Sequence, residues 1–325
     1  MISTKTITAR VGPLICAWEM LLGMAMGSDL AAGEASSAPS TVLDRLWIWT
    51  HPVGAHNGID LGGGRQGKSR MKPVEGAGYL GVANLYFIHF PNNPPVSEFR
   101  QYAIDFRPMK RVVWSLTGAG GDTSPQGREA VLKLAGEFPN ITGFVLDDFL
   151  HWSVLADGRR TTDSLAKTSV QPVPASMTPE QLRALRERTA AHGRKWPITC
   201  VVYTHQISPR ILPHVDQVDK VAMWTWRSED LVNLEANFEK LRRIVHPKPI
   251  LLGCYLFDYG NNRQMTVDRM KRQCELGLRW LREGKIEGMI FLASNVCDME
   301  LPAVAWTRKW ITSVGRQPLD QVGTK

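Results

Sequence analysis

Eight short apolar runs, most of them followed by a stretch with helical spacing, constrain this chain more than any other feature. They are RLWIWTHP (45–52), NLYFIHF (84–90), RVVWSLTG (111–118), ITGFVLDDF (141–149), PITCVVYTH (197–205), KVAMWTWR (220–227), PILLGCYLFDYG (249–260) and EGMIFLASNVCD (287–298). Each is rich in β-branched and aromatic residues. Runs of this kind suit strands covered on both faces, as in a parallel sheet.

Helical patterns lie between them. SEFRQYAIDF (97–106) and PQGREAVLKLAGEF (125–138) repeat apolar residues every three or four positions. TPEQLRALRERTAAHG (178–193) opens with Thr178 as N-cap, Pro179 at the first helical position and Gln181 completing a capping box, and Gly193 can end it. DLVNLEANFEKLRRIV (230–245) starts at Asp230, and LPAVAWTRKWITSVG (301–315) closes the series. In TVDRMKRQCELGLRWLREGK (266–285), Val267, Met270, Cys274, Leu278 and Leu281 share one stripe.

Strand and helix in alternation, with no hairpin signal between strands, call for parallel strands joined by crossovers. Eight such units in about 270 residues match a single (β/α)8 (TIM) barrel, expected over residues 45–315. An open doubly wound sheet is the structural alternative. Two connections are long: residues 52–68 after the first strand and 151–177 after the fourth. Both lie on the strand-to-helix side, where barrels build their sites.

The termini read differently. Lys5 and Arg10 precede a mostly apolar run, VGPLICAWEMLLGMAMG (11–27), broken by Glu19 and followed by small residues at 31–35. This predicts a secretory signal peptide over 1–33 and a secreted or periplasmic protein. The run is too short and interrupted for a stable membrane span. Residues 34–44 read as a flexible leader and 316–325 as a tail. The formal net charge is +8, but no dense basic run appears, so no nucleic-acid partner is expected. Cys16 falls in the signal. Cys200, Cys254, Cys274 and Cys297 show neither CxxC nor zinc spacing, and their disulfide state is open.

In such a barrel, polar residues at the carboxyl ends of strands carry function. Here those ends hold His51, the pair Asp147 and Asp148, Tyr203 and His205, Trp224 and Trp226, Tyr255 and Asp258, and Asn295 with Asp298 beyond. Carboxylates and aromatics converge on one rim. A sugar stacks its C–H face on an aromatic ring and hydrogen-bonds at its edge, so this mixture predicts a carbohydrate substrate.

The layout resembles a secreted (β/α)8 glycoside hydrolase. GFVLDDF is similar to the fourth-strand motif of these enzymes, which carry a catalytic Asp or Glu there. Chitinase-like barrels follow a Gly on that strand with acids at even spacing. Gly143, Val145, Asp147 and Phe149 share that parity, so Asp147 matches an inward acid and Phe149 stands where the proton donor Glu would be. Alpha-galactosidase-like barrels use a fourth-strand Asp as nucleophile with a second acid on strand 6, near which only Glu229 and Asp230 lie. The resemblance covers about residues 45–315 and singles out no specific family. It implies hydrolysis of glycosidic bonds without a cofactor.

That chemistry needs two carboxyl groups across the scissile bond. Neighbours on a strand point to opposite faces, so regular geometry admits Asp147 and excludes Asp148 unless a bulge or the strand's end turns it in. Asp147 is expected as nucleophile or charge stabiliser, and Asp148 or Asp258 as the acid. His51, Tyr203, His205, Trp224, Trp226, Tyr255, Asn295 and Asp298 are the expected substrate contacts. The stretch GGGRQGKS (62–69) fits the phosphate-loop pattern GxxxxGK[ST], but neither a strand directly before it nor a helix directly after it is evident. It reads as a glycine-rich rim loop whose Arg65 and Lys68 are available to an anionic substrate group. His51, His56, Asp147, Asp148, His151 and His205 have metal-ligand chemistry without metal-ligand spacing, so no metal is expected. Two rival readings remain: an inactive glycan-binding barrel and a metal-dependent hydrolase.

Overall fold

A computed structural model of the chain describes residues 40–122, 124–151, 175–191 and 194–319. The signal peptide expected over 1–33, most of the loop after the fourth strand (Trp152 included) and Gly193 lie outside the described residues.

Eight parallel strands close into a barrel. They are β1 (Leu46–Thr50), β2 (Asn84–Phe87), β3 (Arg111–Thr117), β4 (Ile141–Leu146), β5 (Ile198–Tyr203), β6 (Lys220–Trp224), β7 (Ile250–Tyr255) and β10 (Gly288–Leu292). The closed order is β1-β10-β7-β6-β5-β4-β3-β2. The closing contact pairs Leu46 with Met289 through Trp49 with Leu292. The fold is therefore the single (β/α)8 barrel that the alternation predicts.

Helices follow the strands: α1 (Pro73–Leu80), α2 (Phe99–Asp105), α3 (Pro125–Glu137), α4 (Pro179–Ala191), α5 (Leu212–Val215), α6 (Leu234–Val245), α7 (Val267–Arg282) and α8 (Pro302–Val314). The capping box of α4 forms as read: Gln181 N–H donates to Thr178 Oγ1 at 3.3 Å, and Thr178 N–H to Gln181 Oε1 at 2.9 Å. On α7, Met270, Cys274 and Leu281 are buried.

Three elements escape the sequence pattern. Helix α1 forms from PVEGAGYL, which reads as interrupted, because Pro73 occupies its first turn and Gly76 is a packing site. A Cβ at Gly76 would come within 2.6 Å of the Ser294 Cβ. Helix α5 is a single turn with no periodicity to read. The third is a short antiparallel hairpin, β8 (Phe257–Asp258) with β9 (Arg263–Gln264), inside the loop after β7. Helix α6 also starts at Leu234 rather than Asp230, because Ser228–Asn233 coil as 3-10 turns beside this hairpin.

The barrel interior is aromatic. Trp49 stacks on Tyr86 at 5.5 Å and meets Trp224 edge-on at 5.2 Å. Gly253 makes room for Trp224: a Cβ there would lie 2.1 Å from the indole. Outside the barrel, Trp114 packs among Phe87, Phe99 and Phe106 under α2. The four described cysteines are buried and free. Residues at the two ends clasp each other: Val42 N–H bonds Gln317 O at 2.9 Å and Leu319 N–H bonds Ser40 O at 2.7 Å. No helix among the described residues is long and apolar enough to cross a membrane.

Candidate active site at the barrel mouth

The fourth strand delivers the two acids. Asp147 N–H extends the ladder by one bond, to Thr117 O at 3.0 Å. Its side chain is buried in the barrel mouth, 6% exposed. Burial, with the adjacent charge of Asp148, raises its carboxyl pKa well above the usual carboxylate range. A carboxyl whose pKa is raised in this way is suited to proton donation.

Asp148 solves the parity problem by a turn. Its φ is +44°, in the left-handed region, where an Asp is tolerated at a cost of roughly 1–2 kcal/mol. Its carboxylate accepts from Gly120 N–H at 2.8 Å and from the Tyr203 hydroxyl at 2.7 Å. Backbone outliers of this kind cluster at functional sites.

A continuous arc of rings covers the rest of the mouth. Tyr203 meets Trp226 at 5.8 Å, Trp226 meets Tyr255 at 5.9 Å, and Tyr255 meets Tyr259 at 5.4 Å. Tyr259 then reaches His56, its hydroxyl 2.8 Å from Nδ1, and His56 meets His51 at 4.7 Å. Trp226 is 36% exposed. Trp224, expected beside it as a substrate contact, is 1% exposed and forms the floor under Tyr255. His205 lies flat on Tyr203, ring centroids 5.4 Å apart.

The histidines of the mouth are neutral. Burial, the charge on Arg227 adding to it, lowers the His205 pKa to about 3, and burial lowers that of His56 to about 4. His51 is pushed well below its ordinary value by burial and by His56. His51 Nδ1 lies 3.2 Å from Ile88 O, so Nδ1–H donates and Nε2 is left as an acceptor. Neutral imidazoles both give and take hydrogen bonds, which suits hydroxyl-rich ligands.

These shifts carry a sign. For His56 and His205 the unfolded chain takes up protons first as pH falls. Stability present above the ordinary value of 6.5 is therefore lost as pH falls toward about 4 and about 3. Melting temperatures recorded at pH 7, 6 and 5 are expected to fall in that order, and His56→Gln is expected to flatten the trend.

The remaining expected site residues hold loops. Burial alone would raise the Asp258 pKa, but hydrogen bonds from Ser228, Asn261 and Arg263 outweigh it and keep the group below its ordinary value. Arg263 Nε lies 2.9 Å from Oδ2, and Ser228 gives both its N–H and its hydroxyl. A carboxylate so held has no proton to offer, which removes the basis for expecting Asp258 as the acid. Asn295 Nδ2 donates to Pro52 O at 2.9 Å, and Asp298 Oδ2 accepts from Arg70 N–H at 3.0 Å, so both anchor the loop after β1. In that loop Gly62, Gly63 and Gly64 all have positive φ, and an Asp60–Gln66 bridge closes it into a tight excursion on the rim. It is no phosphate loop, since no helix begins at Lys68.

Sequence reasoning missed Gly120, Tyr259 and the coupling of His56 to Tyr259. Gly120 stands in a run, Gly118–Gly121, that has no local signal for contact with a residue twenty-eight positions on. Among the described residues no group of three or more His, Cys, Asp or Glu is placed to hold a metal ion.

Fold and mouth define a (β/α)8 barrel with its polar residues at the carboxyl ends of the strands. No protein-family model matches the sequence, and no curated protein matches it. Solved structures do. A candidate α-L-fucosidase from Bacteroides thetaiotaomicron VPI-5482 is 9% identical, with 87% of this chain and 99% of that chain covered at a TM-score of 0.51. A catalytic-site mutant of active domain 2 of a Pyrococcus furiosus chitinase is 14% identical, covering 79% and 85% at 0.47. A mutant tryptophan synthase α-subunit from Pyrococcus furiosus is 9% identical, covering 83% and 97% at 0.44. At these identities the likeness concerns the barrel fold alone.

Proposed function

We propose that this barrel hydrolyses glycosidic bonds in a carbohydrate, with Asp147 as the general acid. The observation that carries the reading is a buried Asp147 at the end of β4, its carboxyl pKa raised by burial, in a mouth that also exposes part of Trp226. Paired carboxyl groups in different environments divide the acid and base roles between them. Asp147 therefore takes the acid's role in place of the nucleophile's, and Asp148 replaces Asp258 as its partner.

The steps balance. Asp147 gives its proton to the glycosidic oxygen as the bond to the anomeric carbon breaks. Asp148, held by Tyr203 and Gly120, takes a proton from the water that adds to that carbon. Proton exchange between the two acids restores the starting pair. Trp226 stacks the sugar, while Tyr255, Tyr203 and His51 bond its hydroxyls. The N-terminal pattern at 1–33 supports a secreted or periplasmic location for an enzyme acting on glycans.

The test is release of reducing ends from a panel of polysaccharides by the full-length protein. Trp226→Ala is expected to weaken binding about tenfold, or about 1.4 kcal/mol. Unchanged affinity in titrations with the best substrate would remove the platform.

A second reading is a glycan-binding barrel without turnover. It is favoured by the engagement of Asp258 and Asp298 in loop contacts, which leaves Asp147 and Asp148 as the candidate pair among the described rim residues. Saturable binding with no reducing ends released over days separates the two.

A further inference from the structure

The end of β6 carries a feature that the hydrolytic chemistry does not use. Trp226 is followed by Arg227, and both are exposed. Their placement is built rather than incidental. Gly260, in the turn between β8 and β9, donates its N–H to Trp226 O at 3.2 Å. A Cβ on Gly260 would sit 2.7 Å from Arg227 Cγ and 2.9 Å from Trp226 Cδ1. The missing side chain lets the indole edge and the arginine stem lie directly on the hairpin. Arg227 O also accepts from Asp230 N–H at 3.1 Å.

Among the described residues the arginine has no counter-charge. Glu229, two residues on, and Asp258 are both engaged by Arg263, at 3.1 and 2.9 Å, and among the described residues Asp230 forms no ion pair with Arg227. Among the described residues no carboxylate pairs with Arg227. Its charge is felt within the mouth, where it acts on His205 beside Tyr203. A guanidinium fixed by its stem next to a partly exposed indole matches one ligand pattern: a ring that stacks and bears an anion. Arginine binds carboxylate and sulfate in the same forked manner.

We infer that Trp226 and Arg227 form a subsite for a negatively charged sugar residue, so that the substrate class is an acidic polysaccharide bearing carboxylate or sulfate groups. This rests on the glycan reading of the mouth and sharpens it. The rim loop bearing Arg65 and Lys68 supplies further positive charge on the mouth side of the barrel.

Affinity electrophoresis of the full-length protein tests it. The gels contain neutral polysaccharides (dextran, galactan, xylan), uronate polymers (polygalacturonate, alginate) or sulfated ones (dextran sulfate, chondroitin sulfate, carrageenan). Retardation is expected in a uronate or a sulfated gel, and which of the two decides the anion. Arg227→Gln is expected to weaken that retardation at least fivefold and Arg227→Lys to restore part of it. Lys309→Gln, an exposed cation on α8, is expected to leave it unchanged. Equal weakening by Lys309→Gln, or full retention by Arg227→Gln, would overturn the subsite. Retardation in neutral gels alone would do so while leaving the glycan reading intact. No retardation in any gel would overturn both.

Discussion

Asp147→Asn is expected to lower turnover at least a hundredfold while raising the melting temperature. Loss of a general acid removes about 10²–10⁴ of rate, and Asn has no proton to give to a leaving oxygen. The gain in stability follows from the same burial. The folded-state pKa of Asp147 is raised, so its contribution to stability is fully present below the ordinary value of 3.8 and is lost as pH rises through the folded value. At neutral pH the wild type carries that loss and the Asn variant does not. Relief of a strained functional group is commonly worth about 0.5–2 kcal/mol, or roughly 2–4 °C per kcal/mol in a chain of this size. The advantage of Asn should grow with pH, and melts at pH 5 and pH 8 read the difference. The rate of the wild type should fall as pH rises past the Asp147 pKa, since only the protonated acid acts.

The opposite behaviour is expected at Asp258. Asp258→Ala leaves the Ser228 N–H and the side chains of Ser228, Asn261 and Arg263 without their acceptor. Breaking a fully buried ion pair costs about 3–5 kcal/mol. Arg263 is half exposed and keeps Glu229, so about 2–3 kcal/mol is expected here. The folded-state pKa is depressed, so this contribution is complete above the ordinary value of 3.8 and is lost as pH falls through the folded value. Urea titrations at neutral pH measure it. Activity should fall less in Asp258→Asn than in Asp147→Asn, because Asp258 holds the hairpin beneath Trp226 and touches no substrate.

Much of the fold is legible in the chain because each strand is covered on both faces. Runs such as ILLGCY and GMIFL therefore carry no charged residue to blur them, and the α4 signal, Thr178-Pro179 with Gln181, is local. Helix α1 was illegible for the reverse reason. Gly76 reads as a breaker, yet it is small because Ser294, far away in sequence, lies against it. The hairpin after β7 is two residues a side, too short for alternation to show.

The site divides along the same line. Strand-end position alone singles out Asp147, Tyr203, Trp226 and Tyr255, since the barrel puts every strand end on one rim. What each residue does there depends on contacts between loops. Asp258 and Asp147 look alike in sequence, and only Arg263 and Ser228 on one side and apolar burial on the other give them opposite pKa shifts. Asp148 faced away by parity, and a single left-handed φ brings it back to Tyr203 and Gly120.

The measurement that bears most directly on this account is the release of reducing ends by wild type and Asp147→Asn, side by side, from the best substrate of the polysaccharide panel. Steady turnover is expected from the wild type and at least a hundredfold less from a folded, more heat-stable Asn variant. Equal turnover by the two proteins would contradict it.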